Sequence, residues 1–363
     1  MYEREYTTRR KRYRQLMIRE GAGGLLVSNP ADVRYLCGFT GSSAMALLLE
    51  NAGYLVTDFR YKEQAALEVI GLRVIIRASG FGEVLSRLLK GRRGVKLAFD
   101  TESLSYAQVV DLRAALKGRA RLTPLRSPLG LLRASKSRSE LDTIKNAIRL
   151  AQKAFQEAVS VCGEGKRERD LALALDTAAR RGGAEGRPFD TIVAGGPRGA
   201  MAHARPGGRR LRGFTVVDWG VVYKGYCTDM TRTLAFGKVD SRLRKAHGLV
   251  LEAQRRALEK IKPGARAREV DRAAREVIEE AGYGDFFGHG LGHGVGLEVH
   301  ERPWISGESR DRLEEGMVFT LEPGIYLPGR GGVRVEDMVL VTLRGAELLT
   351  TLPRGLDPAE YLV

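Results

Sequence analysis

Cysteine is scarce in this sequence of 363 residues: Cys37, Cys162 and Cys227 are odd in number, far apart, and form no CxxC pair. Neither a disulfide framework nor a cysteine-held zinc knuckle fits that set. Long apolar runs are missing as well. No stretch approaches the roughly 18 apolar residues of a membrane span, and the basic start MYEREYTTRRKRYRQLMIREG lacks the apolar core of a secretory signal. A reducing, cytoplasmic setting is the expectation. Proline amounts to 12 residues and no low-complexity tract interrupts the chain, so it reads as globular rather than fibrous or disordered. Acidic residues fall short of basic ones, 44 against 60, for a formal net charge of +16. An excess of that kind can bind nucleic acid by releasing counterions. Here Lys and Arg are interleaved with Asp and Glu, and no aromatic-plus-basic motif accompanies them, so the expectation is a solvated Arg-rich surface with neither nucleic acid nor membrane as partner.

What is present falls into two patterns, and the length itself suggests about two domains. From Gly23 to about Leu125, short apolar runs (GGLLVS, MALLLE, GYLVTD, LRVIIR, VKLAFD) alternate with helical stretches around 60–69, 81–90 and 104–118. That alternation predicts an α/β layer with no catalytic spacing in it. The pattern breaks at RSPLGLLRASKSRS, where Pro128 and Gly130 mark a boundary, giving domains over 1–130 and 131–363. A helix then opens on the capping box Ser137 and Glu140, with Leu141, Ile144, Ile148, Ala151, Phe155 and Ala158 along one face.

The second half repeats itself. Helices over 139–161 and 167–181 precede a strand pair around VVDWGVVYKGYCTDMTRTLAF; helices over 241–261 and 265–281 precede another around VFTLEPGIYLPGRGGVRVEDMVLV. Glu322 follows Asp218 by 104 residues and Glu336 follows Asp229 by 107. A duplicated helix–helix–ribbon unit with facing ribbons accounts for this. Within a hairpin, cross-strand partners share a midpoint at the turn. The midpoint is 223.5 for Asp218 and Asp229, in the YKG turn, and 329 for Glu322 and Glu336, in PGRGG. Each ribbon is thus expected to place its two carboxylates nearly opposite each other on one face, within a one-residue register error.

Four carboxylates gathered in a core repel one another and resist desolvation, so the arrangement calls for a cation. Carboxylate oxygens with one imidazole suit manganese, cobalt, iron or zinc, and shared carboxylates can bridge two ions about 3.5–4 Å apart. The imidazole comes from GHGLGHGVGLEVHE, whose glycines let backbone approach closely around His289 and His293. Of five histidines, His203, His289, His293 and His300 lie in or near these motifs; His247, on the 241–261 helix, is expected to fill a surface or packing role. Cys227, two residues before Asp229, is expected as a small buried residue rather than a ligand.

VVDWG, TDMTRT, GHGLGHGVGLEVHE, LEPGIY and VRVEDMVLV, in this order over about residues 137–350, resemble the creatinase/aminopeptidase P/prolidase metallopeptidases. The first half, with RYLCGFTGSS and YLVTDFRY, resembles that family's N-terminal creatinase-like domain. The resemblance implies an α+β protein: a C-terminal pita-bread fold preceded by an α/β creatinase-like domain, acting on the bond before proline in peptides. It implies two divalent ions per chain, manganese first and cobalt, zinc or iron otherwise. Asp218 would bind one ion through both oxygens, Asp229 and Glu336 would bridge, and His293 and Glu322 would complete the second position. Glu322 would also help deprotonate the water held there. His203 would face the substrate, His300 would donate to its carbonyl or developing oxyanion, and His289 and Arg334 would sit on the substrate side or behind the ligands. A homodimer is implied by the same likeness.

A methionine aminopeptidase shares the five ligands but usually lacks a full N-terminal domain; creatinase does not keep the metal set, and binding relatives have eroded it. One departure bears on substrate length. Many prolidase-like members place Arg four residues after the second histidine, whereas this chain reads HERPW, with Trp304 there and Arg302 two residues earlier as a possible substitute. Indole cannot pair with a carboxylate. The sequence thus leans toward Xaa-Pro-Xaa peptides over Xaa-Pro dipeptides.

Overall fold

The computed structural model describes residues 2–125 and 129–362, so Pro128 of the expected boundary lies outside the described residues. The chain divides into two compact units, Met1–Arg133 and Ala134–Val363. No helix among the described residues is long and apolar enough to cross a membrane.

The first unit is built on a six-stranded mixed sheet in the order Arg73–Arg77, Gly53–Asp58, Ala44–Leu49, Gly24–Val27, Val95–Phe99, Ala120–Pro124. Gly24–Val27 is buried at all four positions, as expected of an apolar run with both faces covered. Helices Lys62–Glu68, Phe81–Leu88 and Tyr106–Ala115 fall on the expected stretches. Three elements were not legible: helix Tyr2–Arg19, helix Pro30–Cys37 and edge strand Ala120–Pro124. Tyr2–Arg19 buries Tyr13, Leu16 and Met17 but is otherwise mostly charged, too thin an apolar stripe to announce a helix. Pro30–Cys37 is signalled only at its ends. Asn29 accepts from the N–H groups of Ala31 and Asp32, Pro30 holds the first turn, and Gly38 stops it at φ 86°.

In the second unit each helix pair carries a ribbon. Arg138–Val161 opens on the expected box, with Glu140 N donating to Ser137 Oγ (3.3 Å) and Ser137 N to Glu140 Oε2 (2.9 Å). Its apolar face receives strand Gly213–Trp219: Phe155 stacks on Trp219 with centroids 4.1 Å apart, and Trp219 Nε1 donates to the Ala151 carbonyl at 3.0 Å. Helix Glu168–Arg181 packs alongside. Helix Ser241–Leu258, paired with Ala267–Glu280, plays the corresponding role for the second ribbon, since Gln254 Nε2 donates to the carbonyls of Leu321 (3.0 Å) and Val335 (3.4 Å). Each acidic ribbon is therefore bolted to a helix one residue from its carboxylates.

The registers differ in one respect from expectation. Leu321 pairs with Asp337 and Gly324 with Arg334, which brackets Glu322 and Glu336 as partners about 329. In the first ribbon Tyr223 pairs with Tyr226, and Lys224 (φ 49°) and Gly225 (φ 76°) form the turn. Two consecutive left-handed residues make a two-residue hairpin centred at 224.5, one residue later than expected. Asp218 consequently faces Thr231 instead of Asp229. The slip is two residues, so parity survives and both aspartates keep the same face.

The ribbons meet where Glu336 N donates to the Thr231 carbonyl at 3.0 Å. Beneath that contact Arg232 is fully buried. It donates to the carbonyls of Pro353, Thr231, Glu336 and Leu352 and, through Nη2, to Asp337 Oδ1 at 2.8 Å. Asp337 also accepts from Thr350 Oγ1 and Arg354 Nε. Burial alone would raise its carboxyl pKa, but Arg232 and Arg354 hold it below the usual range. A satisfied buried pair adds little net stability, yet removing one charge strands the other. Asp337→Asn should therefore cost about 3–5 kcal/mol in urea unfolding of the second unit; a loss below about 1 kcal/mol would contradict this role.

Candidate metal centre

All four expected acidic residues lie where ribbon strands end. Asp218 is the penultimate residue of Gly213–Trp219, and Asp229 immediately precedes Met230–Phe236. Glu322 falls between Val318–Leu321 and Gly324–Leu327, and Glu336 between Gly331–Arg334 and Asp337–Thr342. His293 is the middle residue of the short strand Gly292–Gly294. Its flanking glycines are required by packing. A Cβ on Gly292 would meet the Thr320 carbonyl at 2.0 Å, and one on Gly294 the Arg302 carbonyl at 2.1 Å.

Three groups of potential ligands result, Asp218 with Asp229 and Glu336, His293 with Glu322 and Glu336, and Asp229 with His293 and the exposed His300, the ligand atoms of each lying within 4.8 Å of one another. Glu336 belongs to the first two. Asp229 leans toward the second group, its Oδ2 3.6 Å from His293 Nε2, which is also 3.4 Å from Glu322 Oε1. Asp218 Oδ1, Asp229 Oδ1 and Glu336 Oε1 are buried and have no hydrogen-bond partner among the described residues. Buried carboxylate oxygens with no donor are costly. Two divalent ions sharing Glu336 fit this donor set and would satisfy those oxygens. The metal-free electrostatics point the same way. Burial pushes all four carboxyls up, Glu322 to about 8, and Asp229 and Glu336 are raised further by their acidic neighbours.

Burial lowers His293 to about 4, keeping the ring neutral as a ligand must be. Its Nδ1 lies 3.2 Å from the Gly294 carbonyl, which can only accept, so Nε2 is left bare toward the acids. His300 is exposed at the cavity edge and meets His293 edge-on, centroids 4.3 Å apart. His203 is likewise exposed on the cavity wall. His289 has both nitrogens engaged. Nδ1 donates to the Gly290 carbonyl (2.8 Å), leaving Nε2 to accept from the Tyr326 hydroxyl (2.9 Å). Arg334, buried, donates to Asp218 Oδ2 (2.6 Å), Thr231 Oγ1 (3.0 Å) and the Tyr326 hydroxyl (2.8 Å). All nine expected site residues line one cavity of about 1150 Å³.

Tyr326 and Thr231 escaped the sequence reading. Tyr326 lies four residues past Glu322, and its partner across the ribbon is Gly332, which leaves room for a ring on that face. Thr231 Oγ1 donates to Glu336 Oε2 at 2.7 Å. Arg302 does not take up the place left by Trp304. Its guanidinium is paired with both oxygens of Asp311 (3.0 and 3.2 Å) and does not line the cavity, whereas Trp304 does. Cys227 is buried with its thiol toward the Leu297 carbonyl, outside the ligand groups. His247 is buried too, its packing role the one expected.

A carboxyl whose pKa is higher folded than unfolded stabilises the fold below the unfolded pKa and loses that contribution as pH rises through the folded value. Buried His293 has the opposite dependence, but above its unfolded pKa of about 6.5 it is neutral in both states. Between pH 6.5 and 8 the carboxyls alone act. Metal-free protein should lose stability across this window, by about 1.4 kcal/mol per pH unit for each carboxyl still protonated in the fold. Thermal melts in chelator should fall with pH and melts in excess manganese should not; parallel curves would contradict the account.

Comparison with known proteins shows the family. Residues 142–343 match the model of metallopeptidase family M24, and residues 9–135 that of the creatinase/prolidase N-terminal domain. A relative named Xaa-Pro dipeptidase from Pyrococcus furiosus is 38% identical over 344 residues, covering 92% of this chain and 94% of that one. The solved Xaa-Pro dipeptidase from Bacillus anthracis superposes with a TM-score of 0.91 at 36% identity, over 97% of this chain and 99% of the other. X-Pro aminopeptidase from Thermotoga maritima does so with 0.87 at 39% identity, over 96% and 99%. With its duplicated helix–helix–ribbon domain, its creatinase-like first domain and its acidic cavity, the chain belongs to metallopeptidase family M24.

Proposed function

We propose that the chain is an Xaa-Pro dipeptidase, with residues 1–130 as supporting domain and 131–363 as catalytic domain. In this reading Asp218, Asp229, His293, Glu322 and Glu336 hold two divalent ions, manganese before cobalt, zinc or iron. The observation that carries it is the pair of ligand groups sharing Glu336 on the wall of one cavity. The relatives named Xaa-Pro dipeptidase support the substrate class. When bound, the ions would polarise the scissile carbonyl and acidify the attacking water. Glu322 would take that water's proton; in the metal-free site burial raises its carboxyl to about 8, with Arg334 opposing the rise. His300 donates to the carbonyl oxygen as charge develops there. His203 contacts the substrate, and Arg334 fixes Asp218 while Tyr326 and His289 hold Arg334 in place. The family likeness supports a homodimer in the cytoplasm.

A second reading, an Xaa-Pro aminopeptidase taking longer peptides, is favoured by Trp304 lining the cavity while Arg302 is tied to Asp311. With manganese and cobalt added separately, kcat/KM for Ala-Pro should exceed that for Ala-Pro-Ala by about tenfold or more, with Met-Ala uncut. A preference for the tripeptide would favour the second reading, and cleavage of Met-Ala would remove both.

A further inference from the structure

An Xaa-Pro dipeptide carries its free carboxylate on the residue after the scissile bond, and desolvating that charge in a cavity calls for a fixed cation. Only two permanently positive side chains line the cavity among the described residues, Arg334 and Arg205. Arg334 is committed to Asp218, Thr231 and Tyr326. Arg302, the candidate from the sequence, is held by Asp311. Arg205 has no ion pair and no side-chain hydrogen bond among the described residues.

The backbone beneath Arg205 is held firmly. Ala204 is buried against Ile192 and Ala194, while His203 and Arg205 on either side are exposed and line the cavity. The Arg205 carbonyl accepts from the Arg198 guanidinium. Glu168, with a fully buried side chain, accepts from Gly207 N at 2.9 Å and Gly195 N at 3.0 Å and pairs with Arg198 at 3.3 Å. The segment is thus fastened from below and its one free cation is turned to the cavity. Preorganisation of this kind lowers the ordering cost of binding.

We propose that Arg205 receives the C-terminal carboxylate of the dipeptide and so sets the preference for dipeptides, in a chain that has Trp304 where prolidase-like sequences often carry Arg. The inference rests on the dipeptidase reading and adds to it the residue that selects length. Arg205 acts on binding, not on the bond being cut.

The test compares Ala-Pro with Ala-Pro amide, which differ by the charge alone, on metal-loaded full-length enzyme and on Arg205→Gln and Arg205→Lys. Wild type should prefer the acid. Arg205→Gln should lower kcat/KM for Ala-Pro by roughly ten- to hundredfold, mainly through KM, and leave the amide within about threefold. Arg205→Lys should restore part of the loss, since an ammonium keeps the charge without the planar fork. Metal content and melting temperature should match wild type, which separates the effect from misfolding. A wild-type enzyme that cuts the amide as well as the acid overturns the dipeptide reading and the role of Arg205 together. A wild type that prefers the acid, with Arg205→Gln losing both substrates equally or neither, overturns the role of Arg205 alone.

Discussion

Four carboxylates within a few ångströms of one another, three buried and Glu322 half-buried, are the constraint on which the second unit turns. Arg334 contributes the one buried guanidinium on their side, and it bonds Asp218 directly. One positive charge against four cannot balance the group, and Asp218 Oδ1, Asp229 Oδ1 and Glu336 Oε1 remain without donors. Repulsion of that size would open the fold at neutral pH unless protons or cations occupied the gap. The five residues proposed to hold such cations also line the cavity, so the requirement for stability and the means of catalysis coincide in the same atoms.

The surrounding structure is arranged to keep the carboxylates where they repel. Trp219, stacked on Phe155, fixes the strand of Asp218; Gln254 fixes the chain beside Glu322 and Glu336. Along one short strand the alternation of side chains divides two kinds of work. Thr231 turns toward the site and bonds Glu336 and Arg334, while Arg232 turns away and joins Asp337 to the carbonyls of the C-terminal segment. The first face is left short of positive charge and the second is satisfied. Strain is confined to the face that does chemistry, with a neutralised pair directly behind it.

Much of this was legible because it is periodic. The repeat of helices and acidic ribbons, the capping box at Ser137 and the position of His293 among glycines each follow from spacing or from backbone room. The hairpin around 329 was read to the residue because PGRGG has an evident centre. The turn at Lys224 and Gly225 was misplaced by one residue because a left-handed lysine leaves no signature, and only the period of two kept Asp229 on the right face. Tyr326 was hidden because its partner is a glycine, whose meaning as space for a ring needs the register first. Arg302 was misjudged for a different reason: its capture by Asp311, nine residues on, depends on a loop path that local pattern does not encode. Helix Tyr2–Arg19 was missed because its mostly charged sequence gives little sign of the few residues it buries.

The central claim is that Glu336 joins two cation positions into one centre. Equilibrium dialysis against manganese, with metal counted by elemental analysis, tests it most directly on wild type and Glu336→Ala. The account predicts two ions per wild-type chain and loss of both in the variant, since the shared carboxylate serves each position. A wild-type chain that binds none, or a variant that keeps two, would contradict it.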